Sequence, residues 1–230
     1  MLTLRNVVIS VGEFGMLADF TVDKGALVAV MGPSGAGKST LLSAIAGFTD
    51  VQGKITIDDV EVQGLPPAMR PLSILFQDSN LFPHMTAFEN VALGANPSLR
   101  LTAEQRGSVN DALARVGLAG YETRKPSALS GGQQSRVALA RILVRDKPLV
   151  LLDEPFAALG PALKAEMLDL VAAIAAERDL TTLMVSHDPA DARRIAGEVI
   201  LVADGQAHAP MATAELLDNP PAALRDYLGH

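Results

Sequence analysis

The sequence has no cysteine and no tryptophan, few aromatic residues (4%), no basic block and no long apolar run. Without cysteine there is no disulfide and no thiolate metal site. The apolar content, 49% of the chain, is therefore carried by aliphatic residues, which suits a sheet-and-helix core better than an aromatic-rich β-sandwich. Acidic residues outnumber basic ones, 26 against 19, for a net charge of −7, so a sequence-blind grip on a nucleic-acid backbone has little electrostatic support. No nucleic-acid partner is expected. No stretch approaches the roughly 18 to 20 apolar residues that cross a bilayer. The opening MLTLRNVVIS also lacks a charged segment followed by an apolar one. The cytoplasmic face is the expected location, and any service to a membrane would be that of a peripheral subunit.

What is present alternates between strand and helix. Short β-like runs stand at Ala26–Met31, Lys54–Ile57, Pro71–Phe76, Leu149–Leu152, Thr182–Val185 and Glu198–Val202, several of them almost wholly apolar, as strands covered on both faces are. Leu163, Met167, Leu170 and Ile174 recur at helical spacing between two of these runs, which makes a strand, crossover helix, strand unit. Residues 79–147 read differently, with helical patterns near Ala87–Leu93, Thr102–Gly117 and Gln133–Arg145 and no convincing strand. The expected fold is α/β: one domain over 1–230, with a mainly parallel central sheet built from 1–78 and 148–230 and a helical insertion at 79–147.

The strongest chemical signal is GPSGAGKST, Gly32, Pro33, Ser34, Gly35, Ala36, Gly37, Lys38, Ser39 and Thr40, which follows an apolar strand and precedes a helical run. The glycines allow backbone angles and close approach denied to larger residues, so successive N–H groups and a helix N-terminus can surround phosphate oxygens. Lys38 is placed to reach the β and γ phosphates of a nucleotide and Ser39 to ligate Mg²⁺. LVLLDEP ends an apolar strand in two carboxylates. Asp153 is a candidate for the Mg²⁺ shell and Glu154 for polarising an attacking water; the same pair also reads as a helix cap before Pro155. A second Gly-rich turn, LSGGQ, offers another anion site: Ser130 can cap a helix beginning near Gln133, and Gly131 and Gly132 clear the approach. On physical grounds alone it reads equally as an ordinary capped surface helix.

The phosphate loop, LSGGQ, LLDEP and Ser186-His187, in that order over nearly the whole chain, resemble the ATP-binding subunits of ABC transporters. The resemblance implies the family's ATPase core with an antiparallel β portion at the N-terminus and a helical subdomain bearing LSGGQ. It implies ATP and Mg²⁺ as cofactors, with Ser39, Gln77 and Asp153 around the metal. Glu154, His187 and Gln77 match the family's catalytic positions: His187 the switch histidine at the γ-phosphate, and Gln77 the glutamine that senses Mg²⁺ and water beside the transmembrane partner. Taken alone, Gln77 is a polar residue at a strand end and His187 a loop histidine. The resemblance also answers why one chain has two phosphate-binding turns. In the family, two subunits pair head to tail, and Ser130, Gly131, Gly132 and Gln133 would close over the ATP held by the other subunit.

The chain departs from the family pattern twice. The aromatic residue usual near Val11 is missing from ISVGEFG, where only Phe14 is close, and Gly160 replaces the aspartate usual after LLDEP, the family's Walker B motif. A glycine there cannot make the cross-interface carboxylate contact; a left-handed backbone at Gly160, strained for Asp, is an open alternative. LPPAMRPLSILFQDSNLFPHMTAFENVALGANPSLRLT and MVSHDPADARRIA resemble in particular the ATP-binding subunits of bacterial thiamine importers. That implies a homodimer in the assembled complex, a transmembrane permease, indirectly a periplasmic solute-binding protein, and a place on the cytoplasmic face of the inner membrane. Ferric-iron, spermidine or sulfate importer subunits, and soluble non-transport ABC ATPases, stand as alternatives.

Overall fold

In the computed structural model, which describes residues 1–76, 81–221 and 224–225, an antiparallel hairpin starts the chain. Leu2–Val11 (β1) and Phe14–Val22 (β2) pair through to Val11 opposite Phe14, leaving Gly12 and Glu13 as the turn. Leu27–Met31 (β3) leads into the helix Lys38–Ala46 (α1), and Val51–Ile57 (β4) with Val60–Glu61 (β5) extends the antiparallel layer along β1. After Leu72–Leu75 (β6) come three helices, Ala87–Ala95 (α2), Ala103–Arg115 (α3) and Gly131–Leu143 (α4). The chain then runs through Leu149–Asp153 (β7), Pro161–Arg178 (α5), Thr181–Val185 (β8), Pro189–Ile195 (α6) and Glu198–Ala203 (β9). Gln206–Ala207 (β10), Met211–Ala212 (β11) and Thr213–Asp218 (α7) follow.

One sheet runs β5-β4-β1-β2-β10-β9-β3-β8-β7-β6, with β11 added on β9. Its centre, β9-β3-β8-β7-β6, is parallel throughout, and the short β10 joins it to the antiparallel layer by pairing with β9 on one side and β2 on the other. Strand alternation divides the central strands between two faces. Val28, Val30, Leu151, Leu183 and Val185 share a core with α1 and the inner face of the antiparallel layer. Leu152 and Met184 join the core of α2 to α5, while Ala29, Met31 and Leu201 meet α6 and α7. Both faces are covered, which is why these strands read as unbroken apolar runs.

The three middle helices each start with a capping box: Thr86 with Glu89, Thr102 with Gln105 and Ser130 with Gln133. Each satisfies two otherwise orphaned N–H groups and contributes on the order of 1 kcal/mol. The third box corrects one expectation: the helix begins at Gly131, not near Gln133, and Gln133 is its third residue. Buried Asn90 organises the loop before α2, accepting from the Phe82 N–H and donating to the carbonyls of Phe82, Met85 and Thr86. The expected boundary at 78/79 lies outside the described residues.

Candidate nucleotide site

The phosphate loop grows from β3, which β8 and β9 flank on both sides, so the loop leaves the sheet at its most supported point. Two of its glycines are dictated by their surroundings. Gly32 has φ 150°, and a Cβ there would stand 2.0 Å from the Val202 carbonyl oxygen; Gly37 has φ 98°, and a Cβ there would stand 2.4 Å from the Phe14 ring. Gly37 is the N-cap of α1 and provides no side-chain cap, so the first-turn N–H groups face the loop. Lys38 folds back over that loop, its Nζ donating to the carbonyls of Gly32 at 2.9 Å and Pro33 at 2.8 Å. Burial lowers the Lys38 pKa, and the carboxylates of Glu154 and Asp153 oppose that shift. Ser34, Gly35 and Ser39 are exposed, and Pro33, Ala36 and Thr40 are half-buried.

Ser39 Oγ donates to Asp153 Oδ1 at 3.0 Å, joining the start of α1 to the end of β7. Burial raises the Asp153 pKa, the neighbouring Glu154 charge adds to this, and the Ser39 hydrogen bond and Lys38 work against it. A half-buried carboxylate beside a hydroxyl is a pair of hard oxygen donors, which suits Mg²⁺. Among the described residues no group of three His, Asp or Glu side chains could form a metal cage of its own. Glu154 follows in the left-handed region at φ 45°, a conformation that costs a residue with a Cβ roughly 1–2 kcal/mol. Its N–H bonds to the Val185 carbonyl at 3.3 Å. Asp153 and Val185 are register partners on the parallel strands β7 and β8, so Glu154 and His187 leave the sheet side by side. Glu154 Oε2 lies 3.4 Å from His187 Nδ1.

The structure thus brings Lys38, Ser39, Asp153, Glu154 and His187 to the carboxyl ends of β3, β7 and β8, where open α/β sheets place ligands. Gln77 lies outside the described residues. The Ser130 turn is elsewhere: Ser130, Gly132, Gln133, Arg136, Gly117 and Leu163 line a cleft to which the phosphate loop contributes no residue. In that turn the Gln133 side chain is engaged, accepting from the Ser130 N–H at 3.0 Å. Gly132 is buried because α5 crosses there; a Cβ on it would stand 2.3 Å from Leu163 Cδ2. Sequence reasoning missed Lys164, Asp188 and Asp191, which form a cluster beside His187. Nothing in the chain marked this lysine out, since it stands with Glu166 and Asp169 among the charged residues off the apolar stripe of α5.

A family model for ABC transporters matches residues 17–157. The chain is 56% identical, over all 230 residues and the full length of both proteins, to "Thiamine import ATP-binding protein ThiQ" of Ruegeria sp. (strain TM1040). It is 58% identical over the same span to the protein of that name from Cereibacter sphaeroides, and 52% identical to that of Jannaschia sp. (strain CCS1), covering 99% of this chain and 100% of the relative. Among solved structures it resembles the ATP-binding cassette MJ0796, in a dimeric post-hydrolysis state bound to ADP and Pi, with a TM-score of 0.79, 31% identity, and coverage of 93% of this chain and 99% of that one.

Proposed function

We propose, since the chain belongs to the ABC transporter family, that it is the ATP-hydrolysing subunit of an importer whose cargo is thiamine. The observation that carries the ATPase reading is the convergence of Lys38, Ser39, Asp153, Glu154 and His187 at three adjacent strand ends. The cargo reading rests on the full-length relatives, because a vitamin handled by a permease leaves no imprint on this site.

In this reading the N–H groups of residues 35–40 surround the nucleotide phosphates, and Lys38 exchanges its two loop carbonyls for phosphate oxygens. Ser39, Asp153 and Gln77 hold Mg²⁺, which when bound offsets phosphate charge. Glu154 takes the proton of the attacking water, and His187, 3.4 Å away, holds the γ-phosphate side of the site. Ser130, Gly131, Gly132 and Gln133 serve a second copy's nucleotide in a head-to-tail dimer. The separation of their cleft from the phosphate loop supports this, as does the dimeric state of the similar cassette. Residues 1–78 and 148–230 act as the ATPase core and 79–147 as the helical subdomain, whose Asn90-ordered loop meets a transmembrane permease supplied by a solute-binding protein. No helix among the described residues is long and apolar enough to cross a membrane. In this reading the chain attaches peripherally, through the permease, at the cytoplasmic face of the inner membrane.

The test is ATP-driven uptake of thiamine by vesicles carrying the chain with its co-encoded permease and binding protein. Glu154→Gln is expected to bind ATP yet lose turnover by on the order of 10²- to 10⁴-fold. Near-normal hydrolysis by that variant refutes the role of Glu154, and uptake of another solute but not thiamine refutes the cargo.

A further inference from the structure

The residues on either side of His187 are held by a cluster that the hydrolysis reading does not use. Lys164 lies in the first turn of α5, with its side chain 16% exposed. Its Nζ lies 2.8 Å from Asp188 Oδ2 and 2.7 Å from Asp191 Oδ1, and the Asp191 side chain is itself 9% exposed. The other Asp191 oxygen accepts from Ser186 Oγ at 2.6 Å, and the Asp188 N–H donates to the same hydroxyl at 3.1 Å. Ser186 is further tied to the sheet by its N–H, which donates to the Val30 carbonyl at 3.3 Å. Both chain neighbours of His187 are thus fixed, while its own ring is 55% exposed and meets Glu154.

We propose that Lys164 is a positioning residue, which clamps the segment from Ser186 to Asp191 so that His187 keeps its place beside Glu154. The proposal rests on the ATPase reading above. Residue 163 of the same turn is pressed on Gly132, so the clamp also refers the position of His187 to the turn that serves the second copy's nucleotide.

A purely structural role explains the cluster less well. A buried ion pair contributes little stability compared with apolar packing of the same volume, whereas it imposes direction on every group it binds. Burial acts to lower the Lys164 pKa, yet the hydrogen bonds that its ammonium donates to Asp188 and Asp191 outweigh it and raise the pKa, so the ammonium is held charged. Docking of α5 on α6 has its own link: Arg194 donates to both Asp169 oxygens at 2.7 Å. The Lys164 cluster is placed at the end where His187 stands.

The experiment measures kcat and KM for ATP in the assembled transporter for wild type, Lys164→Met and Lys164→Arg, with thermal unfolding of each. Lys164→Met is expected to lower kcat on the order of 10- to 100-fold, as displacement of a reacting group does, with KM for ATP changed by less than about threefold. Lys164→Arg, which keeps the charge and two donors, is expected to recover most of kcat. Wild-type kcat in a folded Lys164→Met protein overturns the proposal, and so does a folded Lys164→Arg protein no better than Lys164→Met. If Lys164→Met does not fold, the pair Lys164→Leu with Asp191→Leu removes both buried charges together: lowered kcat supports the clamp and wild-type kcat overturns it. Absence of ATPase activity in the wild type instead refutes the ATPase reading itself.

Discussion

Gly160→Asp restores the residue type that the family resemblance places after the Walker B motif, and the structure sets what it should do. Gly160 is the N-cap of α5, with φ −64° and ψ 156°. Its carbonyl already accepts the first helical hydrogen bond, from the Lys164 N–H at 2.9 Å. That backbone is ordinary extended geometry, so the left-handed alternative is excluded and Asp meets no strain. A Cβ would touch nothing within 4 Å. No side chain caps the helix, and the first helical residue is Pro161, which has no N–H to satisfy. An Asp carboxylate there can accept from the next two N–H groups, which improves on Gly by a few tenths of a kcal/mol. Loss of glycine freedom in the unfolded chain adds about 0.4–1 kcal/mol, and a negative charge at the helix N-terminus about 0.3–1 kcal/mol. The total is about 1–2 kcal/mol. For a chain of this size that raises Tm by about 2–8 °C in a reversible scan. An unchanged or lowered Tm refutes the reading of this loop. A separate assay in the assembled transporter follows turnover against ATP concentration. Higher activity or a steeper Hill coefficient is expected, and no change in either means that the substitution at this position is silent for coupling.

Arg70 is 5% exposed and donates through Nη1 to the carbonyls of Ala44 and Ile45 at the end of α1 and through Nε to Leu65. Arg70→Met therefore strands carbonyls and is expected to cost about 2–4 kcal/mol, read as a lowered urea midpoint at unchanged m-value. Mixing Lys38→Ala chains with Ser130→Arg chains is expected to restore partial ATPase activity, because one site of each heterodimer combines an intact Lys38 with an intact Ser130 turn; activity no higher than either mutant alone, despite proven heterodimers, counts against shared sites. The Lys164 hydrogen bond holds the Asp188 carboxyl below its usual pKa. The stability it adds is fully present above the unfolded carboxylate value near 4 and is lost as pH falls through the depressed folded value. The difference in urea midpoint between wild type and Lys164→Met should thus narrow below about pH 4, and a constant difference contradicts the assignment.

The nucleotide loop was legible because its chemistry is local: the apolar strand, three glycines, lysine and helix are consecutive, and the structure keeps them so. The three middle helices were legible for the same reason, and Thr86-x-x-Glu89 and Thr102-x-x-Gln105 could have placed two starts to the residue. The first hairpin was harder to see as strands, since the register shifts between Leu4 and Val7 around Asn6, at φ 48°, and breaks the alternation. That hairpin also places Phe14: it pairs with Val11 across the turn, and its ring lies at Gly37, beside the phosphate loop. The Lys164 cluster was not legible, because Asp188 and Asp191 reach it only after the chain has returned through β8.

One stretch of chain gives the site its unity. From the end of β7 it presents Asp153 to Ser39, turns through Glu154 in a left-handed conformation beside His187, and caps α5 at Gly160. It then sets Leu163 on Gly132 and Lys164 on the Asp188 and Asp191 carboxylates. The strain at Glu154 is sustained because both flanks are pinned, by the Asp153–Ser39 hydrogen bond before it and the α5 anchors after it. Substitutions along this stretch share partners, so their effects should combine non-additively, whereas Arg70, anchored at the far end of α1, belongs to the core and should add independently.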